Sequence, residues 1–519
     1  MSLRRRIGTT LALAATVAAC GHYRPALFAD RPPVEIVHDD RPIPLPSRQE
    51  FDERELLSDV YLRRPLFDVV RPLDFVTGGD VNALDEVPAS SWYDPELTKR
   101  APSGNANAEP PTFPLLALDE SPATTGDALV VGDAKGVRYE LLTDPPDQPG
   151  LLTGAEVLGS LLLRSLGLRA PRAWIVGVPE STLSSNGKAA KERLDRWLAR
   201  KAALVNGSRR VSATLWPPGI DVGIANDFSL RRDDPNDRIE HPNRRTLRAT
   251  KIFAHWMGWT TFGVRSTRDV YVGAPGQGHL LHYAIGASRA FGTQDLQRYA
   301  LRDEEAGGLW WHLVTLGLSS PVTSPPRRSA FPSLGFLSEV VVPGDFVVSP
   351  PYSPFVRLTP ADEYWAGKRL VDAGEDAIRI GVEAAELPDD AAEYLETVLK
   401  KRRRALIVHA MEVVTPLDVA ATTGRLVWLR DRAIAAGVAE AKGTTYEVSF
   451  LDADGAEQAP PRRLGAVGEL TVVRLPREII FGATVLHLRV VRNGIPAPRW
   501  CDVHVLADRS AARVIGVRH

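Results

Sequence analysis

The sequence is poor in the residues on which several classes of site are built. Cysteine occurs twice in 519 residues, at Cys20 and Cys501. That excludes a disulfide-dense scaffold and any zinc or iron–sulfur centre held by several thiolates. Histidine occurs 11 times but never in an HExxH or similar metal-binding spacing, and no Gly-x-Ser-x-Gly elbow of a serine hydrolase is present. Lysine is scarce, 10 against 53 arginines, the bias of a GC-rich bacterial coding sequence. Charge of one sign is missing too. The formal total is −1, which argues against binding nucleic acid over the whole surface. No stretch of 18 uncharged apolar residues exists, so a multipass membrane protein is excluded.

What is there begins with an address. Arg4, Arg5 and Arg6 precede an uncharged, mostly apolar run from Ile7 to Ala19, too short to span a bilayer and suited to a signal peptide. The run ends in Val17-Ala18-Ala19-Cys20-Gly21, which resembles the lipobox of bacterial lipoproteins. The resemblance implies that residues 1–19 are removed, that Cys20 carries the covalent lipid, and that the membrane is a partner through that anchor. Two or more acyl chains hold stably where one does not, since each buried CH₂ contributes about 0.8 kcal/mol. Gly21 stands where an inner-membrane retention signal has Asp, so the outer membrane is expected, ahead of the inner. Lipidation uses one cysteine and leaves Cys501 alone, so no intramolecular disulfide is expected. The mature chain loses three arginines and no acid, leaving it at −4.

Five regions follow from the pattern: the signal peptide 1–19 is followed by a Pro-rich tether and wrapping segment over 20–125, then 126–178, 179–440 and 441–519. Within the tether, Trp92 and Tyr93 predict docking on a domain. Leu129–Gly132 and Val137–Leu142 read as strands joined by the turn Asp133-Ala134-Lys135-Gly136. Thr153-Gly154-Ala155-Glu156 reads as a capping box opening a helix that ends at Gly167. Ala170–Val178 returns to strand. A charged helix is expected near 188–204, another beginning around Pro242, and two strands at 269–272 and 279–285. Helical spacing returns at 360–378 and 389–411. Five short strands are expected in the tail, at 446–450, 470–475, 485–491, 503–506 and 514–517. The fold class is α+β.

The order strand, strand, capped helix, strand over 126–178 resembles the small lobe of the protein-kinase-like fold. More closely, Val81–Trp92, Asp233–Trp256 and His282–Gly292 resemble a group of bacterial envelope proteins with this layout, related to the lipid-kinase, HipA and CotH types. The resemblance implies two lobes, small over 126–178 and larger and mainly helical over 179–440, followed by a small β-rich C-terminal domain. It also locates the catalytic positions. The strand position of the phosphate-binding Lys is Leu142, that of the base is Thr261, that of the metal-binding Asn is Ser266, and that of the metal-binding Asp is Gly286. Glu156 stands at the helix acid. Thr, Ser and Gly cannot supply the charge that phosphoryl transfer and a dication need. The expectation is a catalytically inactive kinase-like domain with no catalytic residue, no metal and no cofactor beyond the lipid.

Two other sets of residues carry chemistry. Asp233, Asp234, Asp237, Glu240 and His241 are oxygen and nitrogen donors close in sequence, a candidate binding region for Ca²⁺, Mg²⁺ or another ligand. They lack EF-hand spacing. The preferred reading is a turn neutralised by Arg244, Arg245 and Arg248, with His241, His255 and His282 structural. Lys400-Lys401-Arg402-Arg403-Arg404 reads as a solvated helix face near a C-terminal end, with contact to acidic lipid or lipopolysaccharide as the second reading. Three functions remain open on this reading. The first is an inactive binding or scaffolding protein with an unidentified envelope protein or ligand as partner and no nucleic acid. The second is an envelope enzyme using Asp233, Asp237 and His241, and the third a structural spacer.

Overall fold

The computed structural model describes residues 23–52, 77–100, 109–120, 128–293, 329–479 and 482–519. Cys20 and the leader lie outside them. The chain forms two compact units, both containing helices and sheets, so the protein is α+β. The larger falls within Val34–Asn82 and Glu86–Ala410, and the smaller within Met411–His519, Ala83–Asp85 and the chain before Val34.

The larger unit is built on strands β1 (Leu115–Ala117), β2 (Leu129–Gly132), β3 (Arg138–Thr143), β4 (Ala173–Val178), β5 (Leu183–Ser185), β6 (Leu204–Val205) and β7 (Ser208–Leu215). They are ordered β4-β7-β3-β2-β1-β5, with β6 paired to β7. The β2–β3 hairpin forms as its sequence predicts. Asp133 Oδ1 accepts the backbone N–H groups of Lys135 and Val137 at 2.9 and 2.8 Å, the Asx geometry that makes Asp a turn residue. The central strand β7 is hidden in the sequence by Arg209 and Arg210, both buried, which break its apolar alternation.

Strand parity then sorts the residues of β3. Tyr139 and Leu141 enter a core with Val211 and Ala213 of β7 and with Leu194 and Trp197 of helix α2 (Lys188–Leu198). Glu140 and Leu142 point to the other face. Helix α1 (Leu151–Ser165) packs against β3, β4 and β7.

The start of α1 corrects the expected capping box. The helix begins at Leu151, after Gly150 in the left-handed region (φ 96°), so Thr153 and Glu156 already lie inside it. Its first N–H groups are satisfied from a distance by Asp144. That carboxylate accepts from Gly150 N (2.8 Å), Leu152 N (2.8 Å), Thr153 N (2.9 Å) and the Thr153 hydroxyl (2.6 Å). Glu156 is thereby released from any capping role and is buried.

A second sheet of the larger unit runs β10-β9-β8, from β8 (Ile220–Asp221), β9 (Thr267–Val272) and β10 (His279–Ala284). Along it lies the Pro-rich segment. Ile43 N donates to Gly278 O at 2.8 Å and Gln49 N to Val222 O at 2.9 Å, and Ile43 is buried with Val222, Tyr271 and Leu280. The longer helices that follow α2 are α3 (Arg245–Trp256), α4 (Pro360–Ala373), α5 (Asp376–Ala384) and α6 (Asp389–Glu412). Pro242 sits in a 3-10 turn, His241–Asn243, just ahead of α3. The helix expected over 360–378 is two, parted at Gly374 (φ 72°). The basic run at 400–404 lies in the middle of α6 and is not wholly solvated. Arg402 is buried and donates to the carbonyls of Trp256 (2.8 Å) and Ser338 (2.6 Å), while Arg403 donates to Leu370 O (2.8 Å).

The smaller unit begins with β11 (Leu417–Thr423) and β12 (Leu426–Asp431), ahead of residue 441. It continues through β13 (Thr444–Leu451), β14 (Glu457–Gly465), β15 (Leu470–Arg474), β16 (Gly482–Arg492), β17 (Ile495–Pro496), β18 (Cys501–Ala507) and β19 (Ala512–Arg518). One sheet is β11-β12-β15 and the other β14-β13-β16-β18-β19, with β17 on β16. Leu417, Val427, Leu429 and Val473 of the first share a core with Tyr446, Val448, Leu486 and Val503 of the second. All five strands expected here are present. Strands β11, β12, β14 and β17 are unexpected; β14 carries Pro460 and Pro461, which an edge strand tolerates because its outward N–H groups have no ladder partner. Cys501 is free and buried.

Candidate functional site

The acidic region 233–241 folds around a residue the sequence reading left aside. Arg231 is 1% exposed. Its guanidinium donates to Asp233 Oδ1 at 3.0 Å and to Asp269 Oδ2 at 2.8 Å. Asp269, on β9, also meets His282 Nδ1 of β10 at 2.6 Å. Asp237 accepts from Arg231 N (2.6 Å) and Arg244 Nη2 (2.6 Å) and meets His241 Nε2 at 2.9 Å. Trp92 closes the cluster. Its ring lies flat on His282, centroids 3.7 Å apart and planes 11° apart, edge-on to His241 at 4.8 Å and under the Arg244 guanidinium at 5.0 Å.

The electrostatics follow from these partners. Burial opposes ionisation of Asp237, but His241, Arg244 and the Arg231 N–H outweigh it and hold the carboxyl well below the usual range. Asp233 behaves likewise, burial being outweighed by Ser47 and Arg231. Asp234 is pushed up by burial, which outweighs the Asn236 N–H and the nearby His282.

Of the five candidate residues, Asp233 and Asp237 are joined through Arg231, and His241 meets Asp237. Asp234 bonds locally to Asn236 N at 2.9 Å, and Glu240 is exposed, accepting from Asn243 Nδ2 at 3.2 Å. Arg244 neutralises Asp237 as expected. Arg245 and Arg248 instead pair with Asp362 at 2.9 and 3.5 Å. Among the described residues no three His, Cys, Asp or Glu side chains come together in a way that could hold a metal ion.

A cavity lies between β3, α1 and the β9–β10 hairpin. Glu140, Glu156, Asp221, Thr214, Trp216 and Arg268 are among the residues lining it. Its volume is about 20 Å³, room for one water. Glu156 Oε2 accepts the backbone N–H of Ser288 at 2.6 Å. Burial, and then the charge of Glu140, push its carboxyl up to about 7, against the Ser288 bond and Arg289, which pull it down. The same helix approaches the turn through Gly159, where a Cβ would stand 2.7 Å from Ala287 Cβ. Glycine is therefore required for this contact.

Of the positions named by the kinase-like resemblance, Glu156 lines this cavity, and Leu142, Thr261, Ser266 and Gly286 are not among the residues that line it. Leu142 is buried on β3, and Ser266 is buried, its carbonyl accepting Ile285 N at 2.9 Å. Gly286 opens the 3-10 turn Ala287–Arg289 in the left-handed region (φ 74°). The Thr261 hydroxyl is buried with no hydrogen-bond partner among the described residues.

Sequence reasoning missed Arg231, Asp269, Asp144 and Glu140. Asp269 and Glu140 did leave a signal, since each is a charged residue inside a strand-like run. No family model matches this chain, nor does any curated protein or solved structure.

Proposed function

We propose that the protein is a lipid-anchored lipoprotein of the bacterial cell envelope, held in the outer membrane through Cys20, with a kinase-like domain that binds or scaffolds and does not transfer phosphate. The observation that carries this reading is the cavity's lining. Three carboxyl groups, Glu140, Glu156 and Asp221, line it, between the elements to which the resemblance assigns the phosphates and the metal. Phosphoryl transfer needs cations around the phosphate oxygens, whereas this lining is rich in acids and leaves room for about one water. Arg268 also lines the cavity, but its guanidinium lies 3.8 Å from Asp221.

Phosphate transfer by the purified chain, abolished by substitution at Glu140 or Glu156, is the result that sinks this reading. The reading itself expects no transfer, and recovery of a discrete envelope partner by crosslinking in cells. A spacer would give neither activity nor partner. The competing enzyme reading places chemistry on Asp233, Asp237 and His241. Their bonds to Arg231, Arg244 and one another favour a structural network, so alanine at these positions is expected to lower stability first.

A further inference from the structure

The larger unit carries a surface that the cavity and the Arg231 cluster do not use. Helix α2 buries Ala190, Leu194 and Trp197 at the four- and three-residue spacing of one helical face. The opposite side exposes Lys188, Lys191 and Arg196, and the chain beyond the helix exposes Arg200 and Lys201. Of the eight Lys or Arg in residues 188–210, Lys188, Lys191, Arg196, Arg200 and Lys201 are exposed, against two acids; Arg209 and Arg210 are buried, and Arg193 pairs with Asp119. The two acids, Glu192 and Asp195, are exposed on the same helix, and Glu192 lies 4.0 Å from Lys188.

Next to these cations stands an apolar tip. Strands β6 and β7 are joined by Asn206-Gly207, both with positive φ (52° and 77°), the conformation of a tight two-residue hairpin. Leu204 and Val205 beside the turn are 62% and 40% exposed. Arg209, paired with Leu204, ties the hairpin to the end of α2. It donates to Arg200 O at 2.8 Å and Leu198 O at 2.5 Å and lies 5.1 Å from the Trp197 ring. The exposed Arg200 and Lys201 are therefore held at the base of the exposed Leu204 and Val205.

We propose that the exposed basic side of α2 and the Leu204–Val205 tip dock on an anionic lipid surface. The charge alone would suit any acidic partner. The protruding apolar pair selects the bilayer, because it can enter the acyl boundary while flanking cations stay among the headgroups. The proposal rests on the reading of the chain as membrane-anchored, since a lipid tether raises the local concentration of bilayer for a weak second contact.

The test uses the chain from residue 20 with Cys20→Ser, so that no acyl chain contributes. It is sedimented with phosphatidylcholine vesicles, with and without phosphatidylglycerol. Binding is expected only to the anionic vesicles and is expected to be lost at high salt. Lys191→Gln and Lys201→Gln should each weaken it about fivefold, the effect of removing one cation near an anionic surface. Leu204→Ser with Val205→Ser should weaken it as well, with the melting temperature unchanged for every variant. Absence of binding to anionic vesicles, equal binding to neutral ones, or indifference to the substitutions overturns the proposal. None of these outcomes bears on Cys20, whose lipidation is read separately from membrane retention of the unsubstituted chain.

Discussion

Glu156 on α1 and Ser288 in the turn after β10 meet through one hydrogen bond, the carboxylate Oε2 accepting the Ser288 backbone N–H at 2.6 Å. The bond joins the helix to the turn that opens at Gly286, the position where the kinase-like resemblance expects the metal-binding Asp. It sits beside a second carboxylate, Glu140, whose charge adds to burial in disfavouring charge on Glu156.

That setting gives stability a pH dependence of definite sign. The Glu156 carboxyl is raised from 4.5 to about 7, so the folded chain holds this proton more tightly than the unfolded chain. Its contribution is fully present below about pH 4.5 and is lost as pH rises through about 7, by roughly 3 kcal/mol in all. Glu156→Gln should remove this slope and leave the variant relatively more stable above pH 7. Denaturant unfolding of both chains between pH 5 and 8 measures it. A parallel pH dependence in the two would contradict the assignment.

The Arg231 cluster makes a larger prediction. Arg231 and Asp269 are 1% and 0% exposed and bonded at 2.8 Å. Removing one partner takes a counter-charge from the other inside the fold, leaving Asp269 to His282 or Arg231 to the less buried Asp233, so Arg231→Ala or Asp269→Ala should each cost about 3–5 kcal/mol. The double variant should cost less than the sum of the singles, because it strands no partner in this pair. Additive losses would mean the two do not interact as described.

Trp92→Ala should destabilise by about 3–5 kcal/mol, the usual cost of truncating a buried aromatic. The 3.7 Å stacking on His282 makes Trp92→Phe milder than Trp92→Ala. Equal losses in both would show that the ring's contact with His282 contributes nothing.

Cys20→Ser should release the chain from the membrane fraction of cells and abolish labelling by a fatty-acid analogue. Retention of the label would place the lipid on another residue.

The fold was legible where one local pattern decides one element. The β2–β3 hairpin, α6 and the tail strands follow from turn residues and periodicity. What escaped is what distant residues decide. Asp144 caps α1 from seven residues ahead of its first residue, so the Thr153–Glu156 pattern pointed to a helix start that tertiary bonding had moved. Strand β7 buries Arg209 and Arg210 because Glu180, Asp144 and carbonyls satisfy them, which no alternation rule anticipates. At the candidate site, Asp237, His241 and Arg244 were read together because they are close in sequence. Arg231 and Asp269 were not, since 38 residues separate them and only the fold brings them to one place.

The central claim is that the cavity beside Glu140 and Glu156 does not hold a magnesium-bound nucleotide. Thermal unfolding of the chain from residue 21, with and without Mg²⁺-ATP, tests it most directly. A ligand bound only to the folded state at 100 times its dissociation constant adds about 2.7 kcal/mol, a readily seen rise in melting temperature. No shift is expected. A clear rise with Mg²⁺-ATP, lost on substitution at the cavity, would contradict it and restore phosphoryl transfer as the activity to pursue.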